Sequence, residues 1–298
     1  MVKATYLSVI VIWSTTPLAI KWSIEPGVLF GLMSRLSIGL LVLIVFFAIT
    51  GQKLKFNRVT SLAYLTAGIG IYFAMLFVYW SAQYIPSGWM SVIFGLSPII
   101  TGLLSVMILG ENHFTLNKTM GMLLSLSGLI VIFYTSAAID VNAVIGVFAM
   151  LMSTIAHSVS AVLLKKINAP ISGTQSTFGG LLIAAPLVVI TYLLFGKAVG
   201  EFSPRSVASL LYLGAIATAA GFSMYYYILN RLDAVKVSLI ALVTPVCALF
   251  LGILLNHEPL SISVLIGGAL VISGLALFEL QGKKPESMKS INDEAEQS

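Results

Sequence analysis

Few side chains in this sequence can do chemistry, and most of those stand alone within apolar runs. His157, in Thr154-Ile155-Ala156-His157-Ser158, carries an imidazole able to exchange a proton near neutral pH, or to sit neutral against a neighbouring carbonyl. It is the candidate coupling residue. Arg35, in Leu32-Met33-Ser34-Arg35-Leu36, keeps its charge at any physiological pH, so it must find carbonyls, an anion or water. Gln83 and Asn230 offer amides that can bond a polar solute or cap a helix end. Trp13, Tyr72, Tyr79, Trp80, Trp89, Tyr226 and Tyr227 supply rings that can clasp an apolar body and turn an OH or NH toward its polar end, or simply pack. From these the candidate binding set is Trp13, Tyr79, Trp80, Gln83, His157, Tyr226, Tyr227 and Asn230. Glu111 and Glu258 each follow a long apolar run, where a carboxylate can stabilise the start of the next helix or couple an ion. The chain has no phosphate loop, no His-Glu-x-x-His, no paired carboxylates within an apolar run and no acidic cluster for Mg²⁺. The lone Cys247 offers neither a disulfide nor a thiolate metal site and reads as a small core residue. Catalytic residues, cofactors and metals are therefore not expected.

The elements that hold these residues follow from composition. Of 298 residues 58% are hydrophobic and only 9% charged, and the mean hydropathy is +1.02. That leaves too little polar surface to solvate a globule. The apolar runs are nearly continuous rather than striped, and a span needs about 20 such residues to cross a bilayer. Breaking the chain at charged, Pro-rich or Asn-rich points predicts ten spans: 4–22, 28–50, 59–82, 87–109, 118–137, 143–165, 174–196, 206–229, 236–255 and 260–280. Lipid-facing backbone must satisfy its own hydrogen bonds, so each is read as a helix; barrel strands would be shorter and would alternate polar with apolar. Fold class is thus all-α integral membrane, with no room for a soluble domain. The first run is read as an uncleaved helix, because no small-x-small site precedes Lys21. Residues 281–298 are read as a short, polar, disordered tail.

Cations near span ends accumulate on the cytoplasmic side. An N-inside arrangement places Lys21, Lys197 and Arg205 outside and Arg35 within a span, leaving twelve of the sixteen Lys and Arg inside. Both termini are accordingly expected in the cytoplasm. The sequence pI of about 9.2 then reflects topology, and nucleic acid is not an expected partner.

An internal repeat organises the spans. Residues 79–111 overlay 226–258 at an offset of 147, which pairs Gln83 with Asn230, Pro98 with Pro245 and Glu111 with Glu258. A shift of 144 pairs Lys21 with Lys165 and Trp13 with His157. Each half, 4–137 and 143–280, holds five expected spans. An odd number inverts the second half, which is the architecture behind alternating access. Pro17, Pro98, Pro186 and Pro245 bend their helices, and the paired Pro98 and Pro245 are candidate hinges or static kinks.

With these residues in this order the sequence resembles the drug/metabolite transporter superfamily and, within it, the EamA-type exporters. The residues that carry the resemblance are Trp13 through Lys21 (WSTTPLAIK), Arg35, Ser97-Pro98, Gly110-Glu111, Gly121 and Gly128, then Thr244-Pro245, Glu258 and Gly267 in the second half. The sequence departs from the family pattern at His157, where the second repeat commonly carries an aromatic matching Trp13. The resemblance implies ten helices in two inverted five-helix repeats. It also implies efflux of amino acids or other small metabolites without ATP hydrolysis.

Repeat and resemblance together lead to a secondary transporter in the cytoplasmic (inner) membrane, whose partners are a small-molecule substrate and the lipid bilayer. The lining favours an uncharged or zwitterionic substrate such as an amino acid. Proton antiport and facilitated diffusion both stay open, as does oligomeric state. The alternatives are a facilitative uniporter or channel-like permease, which would carry single-channel currents, and a membrane-embedded enzyme, which would turn over substrate without a second compartment.

Overall fold

The computed structural model describes residues 2–110, 116–139, 141–197, 199–238, 240–257 and 262–279. Glu111, Glu258 and the 281–298 tail lie outside the described residues. Among the described residues the chain is helical, with no strand. The first half comprises α1 (Val2–Ser23), α2 (Val28–Thr50), α3 (Arg58–Ser81), α4 (Ser87–Phe94), α5 (Ser97–Leu109) and α6 (Leu116–Ile139). There follow α7 (Val141–Ile167), α8 (Gly173–Phe195), α9 (Pro204–Leu211), a π-helical segment (Tyr212–Ala220) and α10 (Gly221–Leu229). The chain closes with α11 (Ala234–Ser238), α12 (Ile240–Asn256) and α13 (Ile262–Glu279).

Seven stretches are long and apolar enough to cross a bilayer: Val2–Ser23, Val28–Thr50, Arg58–Ser81, Ser87–Leu109, Val141–Ile167, Gly173–Phe195 and Pro204–Leu229. Their limits match seven of the expected spans to within two residues. The other three expected spans, 118–137, 236–255 and 260–280, are occupied by α6, by α11 with α12, and by α13. Leu7, Val11, Ile49, Met107 and Phe148 turn outward, a surface that is stable in lipid and not in water. Cys247 also faces outward, which corrects its expected place in the core.

Local chemistry explains where the helices start and break. Asn57 and Thr60 form a reciprocal capping box at the start of α3, and Ser172 and Gln175 do the same for α8. Gln175 Nε2 also donates to Lys53 O at 2.8 Å, tying those two helix starts to one face of the molecule. Between α4 and α5 the helix breaks at Gly95-Leu96. Pro98 is the cause: it has no N–H for the Phe94 carbonyl four residues back, and its ring crowds that carbonyl. Pro245, its partner at the 147 offset, sits instead inside the unbroken α12. Of the two expected hinges, only Pro98 therefore accompanies an interruption.

Small residues let the helices approach closely. Gly121 meets the Gly274 carbonyl, and a β-carbon at Gly128 would lie 2.5 Å from the Gly267 carbonyl, so α6 and α13 run antiparallel, backbone against backbone. The π-helical segment, Tyr-Leu-Gly-Ala-Ile-Ala-Thr-Ala-Ala, lies against α2 in the same way. A β-carbon at Gly214 would sit 2.5 Å from the Ile38 side chain, and one at Gly39 would sit 2.8 Å from Thr218. This wide turn is what brings Thr218 up to Arg35.

Candidate functional site

A cavity of about 80 Å³ lies at the centre of the helix packing, walled by side chains from α1, α2, α3, α4, α7, α10 and α12. Two prolines, Pro17 inside the continuous α1 and Pro98 at the break between α4 and α5, loosen the backbone beside it. Pro17 removes the hydrogen bond to the Trp13 carbonyl and Pro98 the one to Phe94, and the Trp13 and Phe94 side chains both line the cavity. Across from them α7 contributes His157, and α10 contributes Phe222.

The rings form one cluster. Trp13 stacks on Tyr225 at 5.0 Å between centroids, and meets His157 at 5.5 Å and Phe94 at 5.7 Å edge to face. His157 also contacts Phe94 at 5.4 Å and Tyr225 at 5.0 Å. The imidazole is thus hemmed by three rings, and none of them carries a charge that would hold an imidazolium. The two residues that the sequence paired at an offset of 144 therefore touch at the centre of the molecule.

Arg35 is 2% exposed and lines the same cavity. Its Nε donates to Thr218 Oγ1 at 2.9 Å, and the Tyr79 phenol, which accepts from Ser23 Oγ at 3.2 Å, lies beside it. Its Nη1 has no hydrogen-bond partner among the described residues. The rest of the polar lining divides into two kinds. Thr16 and Ser153 donate to the Ile12 and Ala74 carbonyls, each at 2.7 Å. Ser91 Oγ and Thr244 Oγ1 are buried without a partner among the described residues. No Asp or Glu lies among the described lining residues.

The expected binding set is split by the structure. Trp13 and His157 line the cavity, Tyr79 stands behind it against Arg35, and Tyr226 packs on Tyr225 and Phe222 one layer further out. The other four members point away. Trp80 is 46% exposed and touches Tyr84, and Gln83 Nε2 caps its own helix at the Trp80 carbonyl, 3.3 Å away. Tyr227 lies under the Arg231 guanidinium at 3.7 Å, and Asn230 Nδ2 donates to Ile171 O at 3.0 Å. Thr218, Ser91 and Phe94 escaped the sequence reading. The one signal for Thr218 was a hydroxyl at membrane depth in an Ala- and Gly-rich run.

The EamA-like transporter family matches this chain over residues 4–134 and again over 144–280. The chain belongs to the EamA-like transporter family. As an EamA-like protein it is a multi-pass membrane transporter, and its relatives carry matching names. It is 29% identical over 282 residues to the uncharacterized transporter YoaV of Bacillus subtilis, covering 90% of this chain and 93% of that protein. It is 25% identical over 273 residues to a probable terminal-alkyne amino-acid exporter of Streptantibioticus cattleyicolor, covering 90% of each. A solved crystal structure superposes with a TM-score of 0.71 at 20% identity, over 95% of this chain and 99% of that one, which shows a shared fold.

Proposed function

We propose that this EamA-like protein is a secondary carrier that exports a small metabolite, an amino acid or related compound, across the cytoplasmic membrane by alternating access. The carrier has ten spans in two inverted five-helix repeats, 4–137 and 143–280, with both termini cytoplasmic. The observation that carries this reading is the contact of Trp13 with His157, repeat mates from the two halves, on one central cavity. Two further pairings support the inversion. At an offset of 146 Gly121 pairs with Gly267 and Gly128 with Gly274, and each meets the other's mate, Gly121 on Gly274 and Gly128 on Gly267, as a two-fold axis would require. Lys21 and Lys165 bond carbonyls at matching places in each half. A cavity of about 80 Å³ is smaller than the roughly 300–1,000 Å³ of small-molecule sites, which suits a closed conformation between two openings. The relative from Streptantibioticus cattleyicolor, named as an amino-acid exporter, supports the substrate class.

The test is uptake into liposomes by the purified protein, with labelled amino acids, organic acids, nucleosides and sugars, each with and without an imposed pH gradient. Saturable movement of one class supports the carrier. Failure of all classes, with the protein intact, overturns it. A second reading, facilitated diffusion without proton coupling, is favoured by the apolar rings around His157. It predicts that the gradient changes nothing beyond the ionisation of the substrate itself.

A further inference from the structure

We propose that the central cavity takes a small organic acid with an apolar body and no ammonium group, its carboxylate received by Arg35. This rests on the carrier reading and replaces a zwitterionic amino acid with a related organic anion as its substrate.

A guanidinium buried in a low-dielectric interior is costly unless hydrogen-bonded and neutralised. Arg35 is buried, yet its bonded partner through Nε is a neutral hydroxyl, Thr218, and its neighbour Tyr79 is a neutral phenol. Nη1 is left without a partner among the described residues, and no carboxylate stands among the described lining residues. Ser91 and Thr244 add two buried hydroxyls on the same lining, likewise without a partner among the described residues. Three donors without acceptors, one of them cationic, are what an anionic oxygen cluster would satisfy. Apart from His157, Thr16 and Ser153, the rest of the wall is apolar, with Trp13, Ile20, Val78, Met90, Phe94 and Phe222 among it, which suits an apolar body. An ammonium group finds no acceptor charge there. Nor does Trp13 offer both ring faces for a cation, since it is stacked on Tyr225.

The experiment compares three probes sharing one apolar body: 3-phenylpropionate (anion), phenylalanine (zwitterion) and phenethylamine (cation). Binding to the full-length protein in detergent is read from tryptophan fluorescence and from the shift of the unfolding midpoint, and counterflow is measured in liposomes. The expected result is saturable binding and counterflow of 3-phenylpropionate only. Arg35→Gln should weaken that binding roughly 10- to 100-fold, the range for losing a charged hydrogen bond. Ser91→Ala and Thr244→Val, which leave the guanidinium alone, should each weaken the anion several-fold, so the proposal survives a poorly folded Arg35 variant. Tight binding of phenylalanine or phenethylamine with none of the anion overturns the anion proposal and leaves the carrier standing. Arg35-dependent binding of the anion without movement supports the proposal and overturns the carrier. Anion binding equal in wild type and all three variants overturns the proposal, as does absence of binding by any probe.

Discussion

Trp13 and His157 meet edge to face at the centre of the molecule, 5.5 Å apart and at 74° between ring planes, although 144 positions separate them. Each comes from the same place in its own half of the chain. In the inverted repeat proposed above, only mates that lie near the in-plane axis come together, so this contact is where that proposed axis would run. The cavity lies against it. Side chains from both halves line it, so a substrate there would touch both at once, as the proposed alternating access requires.

His157 is held by Trp13, Phe94 and Tyr225, so a ring matters at this position more than a proton. His157→Phe is expected to keep saturable transport within about threefold of wild type. His157→Ala leaves a void among three rings and should cost roughly 3 kcal/mol, within the range for truncating buried aromatics. Transport rates beside unfolding midpoints decide the matter. Loss of only the gradient-driven component in His157→Phe would show instead that the imidazole couples protons.

Lys21 Nζ donates to the Ala82 and Ile85 carbonyls at 2.7 and 3.2 Å, and Lys165 Nζ donates to Leu229 and Leu232 at 3.0 and 2.9 Å. Each lysine thereby fastens one helix to the turn ending another, in equivalent places of the two halves. Removing either cation strands two carbonyls, at roughly 1–3 kcal/mol. Lys21→Met and Lys165→Met should lower the unfolding midpoint by similar amounts. A large effect at one and none at the other would argue against equivalent roles.

Gly274 and Gly110 differ in what a methyl group would meet. At Gly274 a β-carbon would come within 2.6 Å of the Gly121 carbonyl, so α6 and α13 would have to separate. At Gly110 it meets nothing within 4 Å, and the cost is only that of a left-handed φ of 72°. Gly274→Ala is expected to destabilise by about 3 kcal/mol and Gly110→Ala by about 1 kcal/mol. Thermal unfolding of the two variants in one detergent compares them directly.

Seven spans were readable from apolar length alone, and the central ring pair from the repeat offset. Which ring faced inward was not readable. In a soluble helix the polar stripe marks the outer face, but lipid is as apolar as a core, so Trp80 and Cys247 carry no sign that they turn outward while Trp13 and Phe94 turn in. The amides of Gln83 and Asn230 misled for a related reason. At helix ends a carbonyl is always within reach: Gln83 bonds that of Trp80 in its own helix and Asn230 that of Ile171 ahead of α8, and neither reaches the cavity. The π-helical turn that places Thr218 arises from close packing against α2, a tertiary effect with no local signature beyond small residues.

Topology can be tested by thiol labelling in a Cys247→Ser background. A cysteine replacing Lys197 should react with a membrane-impermeant maleimide in intact cells, and one replacing Lys53 only after permeabilisation. The reverse pattern would turn the protein over and exchange the two faces in the export model. Cys247 itself, turned to lipid, should stay unlabelled in the wild type, because a membrane-impermeant maleimide does not enter the hydrocarbon.

Thr218 tests whether the π-helical segment serves the site or only the packing. Its Oγ1 accepts a hydrogen bond from the guanidinium, 2.9 Å from Arg35 Nε, while its methyl group packs on Gly39. Thr218→Val keeps the shape and removes the acceptor, and Thr218→Ser keeps the acceptor and removes the methyl. If orientation of Arg35 matters, Val should weaken binding of 3-phenylpropionate about tenfold, the effect of one hydrogen bond to a charged group, and Ser should restore most of it. If Thr218 only fills space, the order reverses: Ser loses packing against α2, Val binds as wild type, and the role of the π turn is confined to bringing two helices together.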